Sequence, residues 1–305
     1  MTHGLLLVDK PGGISSHAVV ARTRRALDTR RIGHAGTLDP MATGLLVLAV
    51  GEGCKVLRYL VLDDKRYDAT IQLGAETDTL DADGVVVATC AIAALLEHAR
   101  VEAAARAFVG ETVQRAPAVS AIKQGGVALH ARVRRGETVE APDRRVLVHS
   151  IAIRAVRPEA IELSVHSGKG FYVRALARDL ARSLDTLGHL TALRRVQSGR
   201  FGIEQAVSFD VIVAAAAGAP DARSALERAV VPIREALAFA PALGLDDEGL
   251  EHARQGRPIP LAHVASGITP EAGAEPVLLC DAAGQPVAVA RRLDAALQVV
   301  RGLSC

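Results

Sequence analysis

Apolar residues recur along this chain in three patterns, and each predicts a different kind of element. Unbroken apolar runs bounded by turn residues predict buried strands: GLLLVDKPGG near the N-terminus, ended by Lys-Pro-Gly-Gly, and GLLVLAVG between Gly44 and Gly51. Strict alternation in KRYDATIQLG puts Tyr67, Ala69, Ile71 and Leu73 on one face, which predicts a half-buried strand opening with a tyrosine. Helical spacing or propensity predicts helices in SSHAVVARTRRAL, with Ser15 or Ser16 as N-cap, in CKVLRYLVL and in the alanine-rich residues 91–109. In SGKGFYVRALARDLARSL a glycine-rich turn feeds a helix whose apolar positions are Val173, Leu176, Ala177 and Leu180. Strands are predicted near 146–156, 160–166 and 190–201, followed by helical, alanine-rich sequence over 204–238. Beyond Pro241 come one short helix, DDEGLEHARQG, and three short strands near 276–280, 286–292 and 296–302, with Gly284 and Gln285 marking a hairpin.

Strands and helices in this order do not alternate as βαβ units. The pattern predicts an α+β fold with a central mixed, mainly antiparallel sheet over residues 1–238, and a small β-rich module over 239–305. Residues 114–145 fit neither part. Pro117, Gly125, Gly126, Gly136 and Pro142 break them, and they are basic, so they are expected to form a long functional excursion from the core. There is no internal repeat.

Composition narrows the function. The 305 residues are half apolar, enough for a large core. No apolar run reaches the roughly 18 residues that cross a bilayer, and MTHGLLLVDKPGG lacks the basic start and cleavage site of a secretory signal, so a cytoplasmic protein is expected. Cys54, Cys90, Cys280 and Cys305 are scattered, form no CxxC, and are expected to be reduced thiols. Net charge is only +2, but it is segregated: residues 22–36, 115–145 and 169–200 carry +4, +4 and +5, which leaves −11 on the remainder. Arginine-rich segregation of that size is expected of a footprint for a phosphate backbone.

Several familiar chemistries are absent from the motifs. GEGCK and GKGFY lack P-loop spacing, no G-x-G-x-x-G follows a strand, and the ten histidines show no ligand spacing such as HExxH, so neither a cofactor nor a metal is expected. What stands out is RIGHAGTLDPMATGLLVLAVGEG, which sets one acid, Asp39, among small residues. Asp before Pro reads first as a turn. Tyr67, Tyr172 and the arginines beside each basic turn make a site only if they converge on it.

Five segments in order, GLLLVDKPGGISS, GHAGTLDPMATGLLVLAVGEGCK, KRYDATIQLGAETDTLDADG, SGKGFYVRALARDLA and GHLTALRRVQSGRF, together closely resemble the bacterial tRNA pseudouridine-55 synthase family over nearly the whole chain. The resemblance implies that family's fold with a PUA-like C-terminal RNA-binding domain. It also implies isomerisation of one T-loop uridine of tRNA to pseudouridine without cofactor or metal, by a monomer. Asp39 matches the nucleophile, and attack at uracil C6 or at ribose C1′ stays open. Tyr67 matches the tyrosine that stacks on the flipped uracil and is the leading candidate for the proton-removing base. Arg174 matches the arginine that pairs with the nucleophile, and Tyr172 and Leu193 match residues of the base pocket. His34 matches the histidine that fills the space the base leaves. Lys10, with Pro11, matches a substrate-side pair whose main role is to support the catalytic loop.

Uridine stacked in a folded loop cannot be attacked, so base flipping is implied, and unstacking costs a few kcal/mol that other contacts must offset. An arginine beside Asp39 would favour the ionised nucleophile against desolvation. The basic excursion resembles the family's thumb loop but departs from it, with Ala116 in place of a proline and His130 in place of a tyrosine. Two alternatives stand: a T-arm RNA-folding chaperone, and a pseudouridine synthase acting on another structured RNA. With three tyrosines, five phenylalanines and no tryptophan, recognition is expected to rest on RNA shape and phosphates more than on base stacking.

Overall fold

The long apolar and alternating runs become the middle of one sheet. The computed structural model describes residues 2–61, 64–92, 96–120, 122–133 and 135–304. Its main strands are Gly4–Lys10 (β1), Thr43–Val50 (β2), Lys65–Leu73 (β3), Gly110–Arg115 (β4), Asp143–Arg157 (β5), Ala160–Ser167 (β6), Gly188–Ser198 (β7) and Val207–Ser208 (β8). They lie in the order β8-β1-β2-β7-β3-β6-β5-β4, with Ile32–His34, Phe201–Gly202 and Val231–Pro232 paired to β2, β7 and β1. Among the main strands the β8–β1 and β7–β2 pairs are parallel and the others antiparallel, which is the expected mixed, mainly antiparallel sheet of an α+β fold.

Central position explains the unbroken apolar runs. Leu46, Leu48 and Val50 of β2 enter a core closed by the helices Ser16–Ala26 (α1), His98–Arg106 (α2), Val173–Ser183 (α3), Phe209–Ala216 (α4) and Pro220–Arg228 (α5). The intervening Leu45, Val47 and Ala49 enter a second core on the other face, with Val56, Leu60, Ile233 and Leu237. A strand covered on both faces has no polar side to display. That second core also takes Leu278, Cys280, Val289 and Leu303, so the C-terminal strands pack against the back of the main sheet.

The C-terminal part is a six-stranded sheet in the order Ile259–Pro260, Ala296–Gly302, Pro286–Arg292, Val277–Cys280, Ala242–Leu245, Val264–Ser266. It contains the three expected strands and the helix Asp247–Gln255, capped by Asp246 and ended by Gly256 in the left-handed conformation. No helix among the described residues is long and apolar enough to cross a membrane.

Some expectations fail for identifiable reasons. The helix expected over 91–109 runs only from His98 to Arg106. Residues 91, 92, 96 and 97 are not helical, and Leu96 and Ile92 pack into the core, so burial overrides alanine propensity there; residues 93–95 lie outside the described residues. The described residues of CKVLRYLVL form a 3₁₀ turn at Gly51–Lys55 and one helical turn at Leu57–Leu60, while residue 62 lies outside the described residues. Within 204–238 the helices are interrupted by Val207–Ser208 and Val231–Pro232, both of which pair with β1. The ends of the basic excursion are sheet: β4 pairs with the start of β5, Asp143 opposite Arg115. The part between folds on Ala116, Leu129 and Ala141, with Tyr172 packed against them. Ala116 is therefore core at the base of the excursion, whereas the His130 side chain lies outside the described residues.

Candidate active site

The loop around Asp39 is fixed from below. Ser15 caps α1 by accepting from Ala18 N, which leaves Ser16 free to bond Leu38 in both directions, Oγ to O at 3.0 Å and N to Oγ at 2.8 Å. Lys10 is completely buried at the end of β1, and its Nζ donates to the carbonyls of Ile14 at 2.7 Å, Pro11 at 2.9 Å and Pro40 at 3.1 Å. Gly13 N reaches the same Pro40 oxygen at 2.9 Å, and Ala42 N closes a turn onto Asp39 O at 3.1 Å. The turn reading of Asp-Pro is thus correct as geometry. The Lys10 donors are spent on backbone carbonyls beneath the loop, so Lys10 braces it from below. Burial lowers its pKa to about 8, with Asp39 pulling it up and Arg195 pushing it down.

Above the loop lies a cavity of about 460 Å³, within the range of small-molecule sites. Asp39, Tyr67, Tyr172, Arg174 and Leu193 all line it, although they come from the loop, β3, the entry to α3, and β7. Sheet register explains part of this. Tyr67 lies opposite Arg195, and Leu193 opposite Ala69, so β3 and β7 present these side chains on one face. Tyr172 is fixed through its backbone, since its N donates to Gln114 Oε1 at 2.9 Å and its O accepts from Gln114 Nε2 at 3.1 Å. His34 sits in Ile32–His34 outside the cavity lining. Burial first, then Arg195 and the neighbouring His17, hold its imidazole below the usual range.

Arg174 organises the charges. Its side chain is 5% exposed, Nε lies 2.9 Å from Asp39 Oδ2, and Nη2 donates to Asp39 Oδ1 at 3.2 Å. Nη1 donates to Thr79 O at 2.8 Å and stands 3.4 Å from the buried carboxylate of Asp81, while Nη2 also donates to Val119 O at 3.0 Å. Asp81 is itself oriented, accepting from Thr79 Oγ1 at 2.6 Å and Asp83 N at 3.1 Å. Burial raises the Asp39 carboxyl above its ordinary value and Asp81 adds to the shift, while Arg174 and Lys10 pull against it. The guanidinium partner thus opposes the burial that favours the neutral carboxyl.

A second arginine closes the floor. Arg195 is fully buried, with Nε donating to Leu45 O at 2.7 Å and Nη2 to Gly36 O at 3.3 Å. Gly44 makes that approach possible: it has a positive φ of 96°, and a Cβ there would fall 2.3 Å from Arg195 O. Among the described lining residues Asp39 is the one acid, facing Lys65, Arg144, Arg145, Lys169, Arg174 and Arg195. Arg144, Arg145 and Lys169 are exposed at the rim and have no ion pair among the described residues. Other arginines of the basic windows are spent internally: Arg115 on Glu140, Arg178 on Asp179, Arg182 on Glu76 and Arg194 on Asp9. The outward footprint is smaller than the sequence count implied. Sequence reasoning missed three supports. Asp81 lay unassigned within TLDADG, Arg195 was counted only as charge, and Gln114 had no local signal.

Residues 24–173 match the model of the TruB family pseudouridylate synthase N-terminal domain, and 174–238 match that of the tRNA pseudouridylate synthase B C-terminal domain. The tRNA pseudouridine synthase B of Syntrophotalea carbinolica (strain DSM 2380) is 38% identical over 277 residues, covering 91% of this chain and 88% of that protein. The chain belongs to the TruB family of pseudouridylate synthases. As a pseudouridylate synthase it is an isomerase. A second TruB-family relative, the tRNA pseudouridine synthase B of Arthrobacter sp. (strain FB24), is 49% identical over 212 residues, 68% of this chain and 69% of that protein. The TruB fold recurs in a crystal structure of a Cbf5–Nop10–Gar1 complex, with a TM-score of 0.73 at 22% identity over 98% of this chain and 84% of that one. It recurs again in an H/ACA RNP bound to a substrate RNA containing 2′-deoxyuridine, with a TM-score of 0.72 at 20% identity, covering 99% of this chain and 85% of that one.

Proposed function

We propose that this chain isomerises uridine 55 in the T-loop of tRNA to pseudouridine, in line with relatives named tRNA pseudouridine synthase B, working as a monomer in the cytoplasm. One observation carries the reading: Asp39 is ion-paired to a buried arginine in a nucleotide-sized cavity whose other charged lining is basic. A recessed carboxylate can meet only a base that has left its stack. The few kcal/mol this costs are offset by phosphate contacts from the rim cations Arg144, Arg145 and Lys169.

In this account Asp39 attacks the flipped nucleotide and the N1–C1′ bond breaks. The uracil turns within the cavity, C5 bonds to C1′, the bond to the Asp39 oxygen breaks and returns its electron pair to the carboxylate, the C5 proton leaves to a base, and N1 takes up a proton. Every atom of the uridine is kept, so no redox partner or group donor is needed. Tyr67 and Leu193 hold the ring from the sheet side, and Tyr67 is the base. Arg174 keeps Asp39 ionised and aimed. His34, outside the cavity, enters the space the uridine vacates. Residues 239–305 act as a PUA-like RNA-binding module beside the catalytic domain, residues 1–238.

The purified chain, incubated with a T-stem-loop RNA, is expected to convert the one target uridine, and to leave untouched an unrelated hairpin carrying a loop uridine. Absence of pseudouridine in the T-stem-loop, or equal conversion of both RNAs, contradicts the proposal.

A further inference from the structure

Behind the cavity, on the sheet face away from Tyr67, three metal-ligating side chains converge that the catalytic account does not use. Asp64 immediately precedes β3, His149 lies in β5 and His166 near the end of β6. Asp64 Oδ2 is 2.9 Å from His149 Nε2 and 3.8 Å from His166 Nε2, and the three ligand atoms all lie within 4.8 Å of one another. Zn²⁺ with ligands at 2.0–2.2 Å on tetrahedral directions would set its donor atoms about 3.4 Å apart. The observed spacings straddle that value.

The backbone explains how the set forms. The β5–β6 register runs Val148 opposite Ser167 and then Ser150 opposite His166, so His149 is the extra residue of a bulge. A bulge re-aims the side chain it inserts. Here it turns His149 beside His166, with the two rings 4.5 Å apart. The side chains are 46%, 32% and 23% exposed for Asp64, His149 and His166, which leaves water free to complete the coordination. Arg66, opposite His166 in the register, is the facing cation, and it is exposed to solvent.

We propose that Asp64, His149 and His166 form a binding site for a divalent transition ion of the zinc class, separate from the active site. Two imidazoles and one carboxylate are the donors such ions favour over Mg²⁺. The bound ion ties the start of β3 to β5 and β6 next to Gly168, whose N donates to Leu147 O at 2.8 Å and which lines the cavity. Its role is to brace the turn that carries Lys169, with no part in the chemical step.

The test is titration of the metal-stripped full chain with Zn²⁺, followed by calorimetry and by thermal unfolding, with Mg²⁺ as control. One Zn²⁺ per chain is expected, with a rise in melting temperature that Mg²⁺ does not reproduce. His149→Ala/His166→Ala, which removes two of the three ligands, should abolish stoichiometric Zn²⁺ binding and the thermal rise, while the metal-free variant melts as the metal-free parent does. Should the double variant fail to fold, Asp64→Asn takes its place, with the same loss expected. Absence of stoichiometric Zn²⁺ binding by the parent, or binding that persists unchanged in the variant, overturns the proposal.

Discussion

Replacing Arg174 with methionine removes the charge while keeping much of the side chain's length, and leaves Asp39 and Asp81 facing each other without their shared partner. Both carboxylates lie within 3.4 Å of the guanidinium, which is 5% exposed, and Asp81 is equally buried. Removing one member of a buried pair costs about 3–5 kcal/mol. Asp39 is 33% exposed, so solvent screens part of its share and the lower end, about 3 kcal/mol, is expected. With a urea slope near 3 kcal/mol/M, the upper end for small proteins, the unfolding midpoint should fall by about 1 M at neutral pH.

The pH dependence separates this cause from lost packing. A carboxyl whose folded pKa is raised above its unfolded value of 3.8 binds more protons in the native state, so stability falls as pH rises through the raised pKa. The gap between Arg174→Met and the parent should therefore narrow as pH falls below the ordinary carboxyl value of 3.8, where Asp39 becomes protonated folded or unfolded. Adding Asp81→Asn should restore part of the loss, since one uncompensated carboxylate is gone. A neutral-pH loss under about 1 kcal/mol, which is the scale of a surface ion pair, refutes the reasoning. So does a loss that is the same at acid pH.

Other expectations follow from single contacts. Tyr67→Phe keeps the ring and loses the hydroxyl, so RNA affinity should hold while the rate of pseudouridine formation falls about 10²–10⁴-fold; an unchanged rate removes Tyr67 from proton transfer. Arg145→Ala removes a rim cation that has no ion pair among the described residues, so the slope of log K against log salt should become shallower by roughly 0.7–0.9 in a binding titration. An unchanged slope places the RNA phosphates elsewhere. Gly44→Ala puts a Cβ 2.3 Å from Arg195 O on left-handed backbone. Backbone strain of that kind alone costs about 1–3 kcal/mol, so denaturant unfolding should show a loss at least that large, and a neutral substitution contradicts the close approach of β2 and β7.

How much of this was readable beforehand depended on the range of the interaction. Strands β1, β2 and β3 were legible because burial on both faces or on one leaves a direct trace, an unbroken or an alternating run. The entry to α3 was legible from its glycines and apolar spacing. β4 was not, because its pattern is weak and its place depends on pairing with residues some thirty positions away. In the candidate site the residues carried by local motifs, Asp39, Tyr67, Tyr172, Arg174 and Leu193, do line one cavity. The supports that act across the fold, Gln114 on Tyr172 and Asp81 on Arg174, leave no local signature, since a buried glutamine or aspartate looks like any polar residue until its partner is in place. Likewise the charge windows revealed how many arginines there are, and only packing separates Arg195 in the floor from Arg145 at the rim.

The central claim is that Asp39 is the nucleophile, and Asp39→Asn tests it most directly because the amide keeps the shape and the reach to Arg174. With a T-stem-loop RNA under single-turnover conditions, the variant is expected to bind with affinity close to the parent's and to form no pseudouridine. Pseudouridine formed at near the parent's rate would contradict the account.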